Sequence, residues 1–277
     1  MIIKTEIIDS FLEYGNLNAV KDHWIYQAIV PGQFTFEEPK NVNRELLVHL
    51  YETIKNRLYN FKPLNERLWH KIFSNLQIPD TTAIYLIVGL PQPYDAVVRE
   101  DKVGMRCIIL DLVRLCTYAD SLEELDFIAA DFLTHELSHV LVSQKYPYSK
   151  KVPKIEVLKQ LVFDEGIAHF LSYEEDVLSV DWHTDKMNNR RNSVYQKLRY
   201  YLTQEEALTH EAFRNANTGS FWDKYASISG MFAVISYCER GGCLEELLEK
   251  GPDALLDIIE KGILKKETFA SLFLYTF

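Results

Sequence analysis

The stretch SLEELDFIAADFLTHELSHVLVSQKY, residues 121–146, predicts one long helix around which the rest of the chain is arranged. Ser121 followed three residues later by Glu124 forms a capping box, which marks the start of a helix. Pro147 marks its end. Apolar residues occupy almost every face in between, and a helix of that composition is normally buried.

Three ionisable residues recur at every fourth position of this apolar helix, so they lie on one side of it. They are Asp131, His135 and His139. Burying charged groups without partners is strongly unfavourable. A divalent cation bound by these side chains would compensate for their burial.

The centre of the helix is the motif HELSH, residues 135–139. Two histidines four residues apart point the same way and can bind one Zn²⁺ ion. Glu136 lies about 100° further round the helix, where a carboxylate reaches a water on the ion but is badly placed to bind the ion itself. This spacing predicts metal ligands at His135 and His139 and a general base at Glu136.

Composition excludes several other classes of protein. The 277 residues carry a formal net charge of −10 and no strong basic cluster, which argues against nucleic acid and anionic membranes as partners. No apolar run is long enough to cross a bilayer, and the first residues do not resemble a signal peptide. The four cysteines form no C-x-x-C pair, as expected for free thiols in a reducing compartment. We therefore expect a cytoplasmic protein.

The remaining pattern predicts a predominantly helical α+β fold in two regions. Residues 1–78 read as an N-terminal helical region, and residues 79–277 as the catalytic region. In the second region we expect a small sheet within 83–112, packed on the long helix, then the site helices within 121–173 and a C-terminal helical part at 194–277.

Within those regions, the expected strands are residues 83–90 and 107–112, with a loop or an irregular edge strand between them. An exposed edge strand can pair with an extended peptide. Residues 174–193 are polar and predict a connection. Two last helices are expected at 244–263, interrupted near Gly251, and at 267–277.

A catalytic zinc site needs a third protein ligand. Glu165, 26 residues after His139, lies in the next predicted apolar helix, where a buried carboxylate requires a partner. A short connection through Pro147 and Pro153 would bring the two helices together as neighbours. His169, one turn after Glu165, is the rival ligand.

These motifs resemble those of the gluzincin metallopeptidases. HELSH is similar to the HELTH of thermolysin, and Glu165-Gly-Ile-Ala resembles the E-G-x-A of the M1-type aminopeptidases. The resemblance covers about residues 121–240. It implies a zincin-like core in which His135, His139 and Glu165 hold Zn²⁺ and Glu136 is the base. The longer zincin pattern with a third histidine is not met, because Val142 and Lys145 stand at the required positions.

Two departures from the resemblance concern the surroundings of the metal. Gluzincins often carry an aspartate four residues after the ligand glutamate, and this chain has His169 there. Asp164 or Asp131 could instead orient a metal-bound histidine. The aminopeptidase signature G-x-M-E-N is missing, since residues 103–106 read VGMR, so aminopeptidase specificity is not predicted.

A donor to the transition state should come from elsewhere in the chain. The aminopeptidases place a tyrosine three residues before a glycine, and the nearest counterpart is Tyr225, five residues before Gly230. Tyr225 is therefore a catalytic candidate as oxyanion donor, although a core tyrosine is the simpler interpretation. Tyr237 and His210 are weaker rivals.

The sequence as a whole predicts a zinc-dependent peptidase that cleaves a peptide or protein substrate. Two alternatives stay open, namely a metal-binding interaction protein without turnover and a metallohydrolase acting on a non-peptide amide. The intact Glu136 favours an enzyme, because a structural zinc site has no use for a base beside it. The sequence does not indicate the oligomeric state, the substrate sequence, or whether cleavage is internal or terminal.

Overall fold

The computed structural model describes residues 1–30, 32–148, 151–174 and 176–274, with side chains up to residue 263. The fold is α+β and mostly helical, as predicted, with one four-stranded sheet. The strands are β1 Ile2–Lys4, β2 Ala83–Ile87, β3 Ala96–Glu100 and β4 Arg106–Asp111. The α-helices are α1 Glu6–Tyr14, α2 Ile25–Ala28, α3 Arg44–Tyr59, α4 Glu66–Ile72, α5 Leu112–Cys116, α6 Leu122–Lys145, α7 Lys154–Ser172, α8 Asp185–Thr203, α9 His210–Arg214, α10 Tyr225–Glu239, α11 Leu247–Lys250 and α12 Pro252–Leu274.

The sheet has the order β1-β2-β4-β3. The two central strands are buried along almost their whole length, which explains why both read as continuous apolar runs. β1 and β4 run parallel to β2, while β3 pairs antiparallel with β4 at the sheet edge. The two predicted strands and the edge-strand alternative are thus confirmed.

The strand β1 was not predicted, because residues 2–30 read as helical by their apolar spacing. Only three residues form it, and their strand character comes from pairing with β2, where Ile3 lies opposite Ile84. The predicted helices of this region are present in part. For example, α3 begins where the Asn43 side chain accepts hydrogen bonds from the backbone N–H groups of Glu45 and Leu46.

The chain divides into two compact units, and the division differs from the predicted boundary at residues 78–79. The first unit comprises Met1–Pro63 and Gln77–Leu137, and the second comprises Leu64–Leu76 and the chain from Ser138 onward. The N-terminal segment shares a sheet with β2, which explains its place in the first unit.

The hydrogen bonds of Asn65, the residue just before α4, explain why the segment Leu64–Leu76 belongs to the second unit. Its side-chain amide donates to the carbonyls of Leu171 and Glu174 at 2.9 and 2.6 Å, and its carbonyl oxygen accepts from the N–H of Val177. These hydrogen bonds tie the start of α4 to the end of α7.

The core of the second unit is the packing of α7 against α10. Every residue of α10 from Tyr225 to Tyr237 is buried, and most of α7 from Leu158 onward is buried too. The helices α8 and α12 cover this pair. The observed bounds of α7 lie within the range 121–173 that was predicted for the site helices.

Two predicted boundaries in this unit were wrong. Helix α8 begins at Asp185 rather than near residue 194, because Thr184 caps a polar first half that has no apolar pattern. The interruption near Gly251 is confirmed, but the two last helices are one, since α12 runs from Pro252 to Leu274 without a break at residue 267. The last residues of the predicted helix, 275–277, lie outside the described residues.

All four cysteines are free thiols, in agreement with the prediction. No helix within the described ranges is long and apolar enough to cross a membrane.

Candidate metal centre

The HELSH motif lies in the second half of α6, on a helix whose start is fixed as predicted. The Ser121 hydroxyl accepts a hydrogen bond from the backbone N–H of Glu124 at 3.2 Å. The Glu124 carboxylate accepts from the N–H of Asp120 at 2.8 Å, one residue before the partner that a capping box predicts. The division between the compact units falls inside this continuous helix, after Leu137. His135 is therefore joined to His139 by one turn of the same helix.

His139 is oriented by a carboxylate from α7. Its Nδ1 lies 2.8 Å from Oδ1 of Asp164, and both groups are buried. The second oxygen of Asp164 accepts a hydrogen bond from the Tyr148 hydroxyl at 3.0 Å. Because a carboxylate accepts rather than donates, Nδ1 carries a proton, and in the neutral imidazole the lone pair then lies on Nε2. Asp164, one of the two residues predicted to orient a histidine, contacts His139.

Glu165 lies beside the other ring nitrogen of the same imidazole. Its Oε1 lies 3.8 Å from Nε2 of His139. The side chain of Asn217 donates to Oε1 and the Ser227 hydroxyl donates to Oε2, each at 3.3 Å. The structure thus brings His139 and Glu165 together, as predicted, and holds the carboxylate by both oxygens.

Neither Asn217 nor Ser227 was predicted. Ser227 lies two residues after Tyr225, in a segment where a buried hydroxyl among apolar neighbours is a weak sequence signal. Asn217 lies in the turn after α9 and carries no such signal. Both contacts join residues more than fifty positions apart, which no local pattern reveals.

Two glycines allow α10 to come close enough for the contact between Ser227 and Glu165. A Cβ added at Gly230 would lie 1.9 Å from the carbonyl oxygen of Val162, and one added at Gly166 would lie 2.5 Å from the backbone of Gly230. Any side chain at either position would push α7 and α10 apart. The glycine after Glu165 therefore has a packing role that the motif resemblance did not reveal.

His169 lies one turn beyond Glu165 on α7 and is buried. A ligand atom of Glu165 and one of His169 lie within 4.8 Å of each other. The His169 ring stacks on Phe221, with centroids 5.3 Å apart and planes inclined by 14°. Burial lowers the pKa of His169 well below its usual value, and the charges of Lys224 and His139 act in the same direction.

Glu136 is buried on α6, with 6% of its surface exposed. The half-buried guanidinium of Arg99 on β3 interacts electrostatically with it. Arg99 donates to the backbone carbonyls of Ile29 and Val98, which fixes its position. Glu136 is therefore a buried carboxylate, and its role as general base stays a prediction.

The Tyr225 hydroxyl donates its hydrogen bond to the protein backbone, whereas an oxyanion donor has to donate to the substrate. Its ring is fully buried, and its hydroxyl donates to the carbonyl of Ala212 at 3.0 Å. Burial also raises the pKa of Tyr225, so the phenol keeps its proton. The catalytic role of Tyr225 stays a prediction that this geometry does not favour.

The weaker rivals of Tyr225 do not replace it. The Tyr237 hydroxyl donates to the carbonyl of Cys243 at 3.0 Å and accepts from Lys250 at 3.1 Å. His210 is exposed at the start of α9.

The donor set fits a zinc ion. A zinc-binding histidine commonly donates its second N–H to a carboxylate, and the contact between His139 and Asp164 has that form. Two atoms bound to one zinc ion at about 2.1 Å each lie no more than about 4.2 Å apart. Nε2 of His139 lies 3.8 Å from Oε1 of Glu165, within that limit. The ligand atoms of Glu165 and His169 lie within 4.8 Å of each other, and His139 is not one of the atoms grouped with them at that distance.

Comparison of the chain with known protein families, with curated proteins and with solved structures finds no match.

Proposed function

We propose that this chain is a zinc-dependent metallopeptidase of the gluzincin type, with a zincin-like core. His135, His139 and Glu165 would hold the ion, and Glu136 would act as general base in the hydrolysis of a peptide bond. We also propose a cytoplasmic location, from the composition and the free thiols.

The observation that carries the proposal is the arrangement around His139. Asp164 takes the proton-bearing nitrogen at 2.8 Å, and the other nitrogen faces Glu165 at 3.8 Å. If the imidazole is neutral, its lone pair faces the Glu165 carboxylate, and a proton or a cation between the two groups removes that repulsion. A cation between the two groups converts that repulsion into coordination, and the HELSH spacing places His135 on the same side of α6.

Each residue then has a defined task in hydrolysis. When bound, zinc supplies a Lewis acid that polarises a carbonyl and lowers the pKa of water. Glu136 accepts the proton of the attacking water and passes it to the leaving amine as the carbon–nitrogen bond breaks. Asp164 keeps His139 in one tautomer, while Asn217 and Ser227 hold the Glu165 carboxylate in place.

A specific observation favours one alternative, a metal-binding protein without turnover. A ligand atom of His169 lies within 4.8 Å of a ligand atom of Glu165. Four protein ligands around zinc are typical of structural sites, whereas catalytic sites keep one position open. A metallohydrolase acting on a non-peptide amide would use the same residues and differs only in its substrate.

The substitution Glu136→Gln tests the proposal, because it keeps the shape of the side chain and removes its basicity. We expect the zinc-loaded parent to cleave members of an unstructured peptide library, and a chelator to abolish that cleavage. Glu136→Gln should lower the rate by about 10²-fold or more. Its zinc content and folding should stay unchanged, because Glu136 is not a ligand in this scheme.

Glu123→Gln is the matched control, because Glu123 is exposed on the same helix. It should leave the rate unchanged. A zinc-loaded parent that cleaves no peptide would contradict the peptidase proposal. Cleavage that survives Glu136→Gln would contradict the mechanism.

A further inference from the structure

The Tyr148 hydroxyl is the outer end of a chain of three hydrogen-bonded side chains that leads to the metal centre. It donates to Oδ2 of Asp164 at 3.0 Å, and Oδ1 of Asp164 accepts from Nδ1 of His139 at 2.8 Å. All three residues belong to the second compact unit. Asp164 is buried, with 3% of its surface exposed, so its carboxylate depends on partners within the protein.

The segment after α6 is fixed against α7 just before Tyr148. The Tyr146 ring packs edge-on against Phe163, with centroids 5.3 Å apart, and the side chain of Gln160 donates to the Tyr146 carbonyl. The Tyr146 hydroxyl donates to the carbonyl of Leu248 at 2.6 Å. Tyr148 therefore extends from an anchored backbone, which lowers the conformational entropy lost in holding its hydroxyl on the carboxylate.

We propose that Tyr148 is a positioning residue of the metal centre. By holding the far oxygen of Asp164, its hydroxyl fixes the plane of the carboxylate, and with it the orientation of the His139 imidazole. Outer partners of this kind orient metal-binding histidines without touching the ion. The inference rests on His139 as a ligand in the proposed function, and it does not depend on peptide hydrolysis.

The competing role for Tyr148 is a structural one, in which its hydrogen bond only joins the segment after α6 to α7. Loss of a structural bond lowers stability and leaves zinc affinity unchanged. Loss of a positioning bond lowers zinc affinity, and it does so only while Asp164 is present to transmit the effect. In the second case the effects of changing Tyr148 and Asp164 on zinc affinity are not additive.

The zinc affinity of the full chain, measured by competition with a zinc-binding dye, distinguishes the two roles. Tyr148→Phe removes the hydroxyl and keeps the ring. We expect its affinity to fall by about three- to tenfold, less than the roughly 10- to 100-fold that loss of Asp164 itself should cause. In an Asp164→Ala background, Tyr148→Phe should cause no further fall. Parent-like affinity in folded Tyr148→Phe would overturn the proposal, and so would an equal further fall in the Asp164→Ala background.

Tyr146→Phe is the matched control, because Tyr146 lies two residues earlier and its hydroxyl donates to a backbone carbonyl instead. It should lower the thermal midpoint and keep the zinc affinity of the parent. The visible absorption spectrum with Co²⁺ in place of zinc reports the geometry of the ligands around the ion. It should shift in Tyr148→Phe and stay parent-like in Tyr146→Phe. The same fall in zinc affinity in both variants would assign Tyr148 a structural role and overturn the proposal.

Zinc affinity and peptide cleavage together separate the role of Tyr148 from the proposed function. A fall in affinity that requires Asp164, in a protein that cleaves no peptide, would support the role of Tyr148 and contradict the peptidase. Parent-like affinity in Tyr148→Phe, in a protein whose cleavage requires Glu136, would support the peptidase and overturn the role of Tyr148. A parent chain that binds no zinc would overturn both.

Discussion

Helices α7 and α8 have the same length, 19 residues, but they handle polar side chains in opposite ways. α7 buries twelve residues, among them Asp164 and His169. α8 buries only Val194, Tyr195 and Leu198, and its charged side chains are all exposed or half-buried. A buried polar group destabilises the fold unless a partner compensates, whereas an exposed one has almost no effect. Polar residues on α7 therefore call for a functional explanation, and those on α8 do not.

The largest expected effect concerns the packing that places α7 against α10. In Gly230→Ala the new Cβ would overlap the Val162 carbonyl oxygen, with which it would be 1.9 Å apart. We expect a loss of about 3 kcal/mol or more in the free energy of unfolding. In a chain of this size that lowers the thermal midpoint by about 6–12 °C.

Gly262→Ala in α12 is the control, since its Cβ would meet the Tyr195 ring at 3.3 Å rather than a backbone atom. Alanine is favoured over glycine inside a helix by about 1 kcal/mol, so this variant should be neutral or slightly stabilised. Equal thermal midpoints for Gly230→Ala and Gly262→Ala would mean that a side chain fits between α7 and α10 at Gly230.

The next effect concerns buried and exposed aspartates. Asp164→Asn removes the carboxylate that holds His139, and we expect zinc affinity to fall by about 10- to 100-fold. Asp185→Asn changes an exposed residue in the first turn of α8 and should leave the affinity unchanged. Competition with a zinc-binding dye measures both. Parent-like affinity in Asp164→Asn would show that Asp164 does not orient a ligand.

The smallest effect concerns the start of α8. The Thr184 hydroxyl accepts a hydrogen bond from the N–H of Met187 at 3.3 Å, so Thr184→Ala should cost about 1 kcal/mol and about 2–4 °C in the midpoint. Zinc affinity should not change. Thr203→Ala, at the other end of α8, removes a hydroxyl that donates only to carbonyls of its own helix, and its effect should be smaller. A fall in zinc affinity in Thr184→Ala would contradict the expectation that the start of α8 has no part in metal binding.

This contrast also explains which parts of the molecule could be predicted. An apolar pattern marks the bounds of α7. The few polar groups within it would destabilise the fold without partners, which predicts that Glu165 lies close to His139. The first half of α8 has no apolar pattern, and Thr184 alone marks its start. The strand β1 is too short to show a pattern and exists through its pairing with β2.

The parts of the site that could not be predicted depend on contacts between distant residues. Asn217 and Ser227 are ordinary polar residues until the close approach at Gly230 brings α10 against α7. The spacing from Gly230 makes Tyr225 a catalytic candidate in the sequence. Its hydrogen bond to the carbonyl of Ala212 depends on the fold of the preceding turn and could not be predicted.

Elemental analysis tests the central claim, that α6 and α7 together hold a metal ion, most directly. We expect about one zinc per chain in the purified parent. The double variant His135→Ala, His139→Ala should lose that zinc while keeping its helical circular dichroism. Full zinc retention in the double variant, or a parent that binds no zinc when it is supplied, would contradict the account.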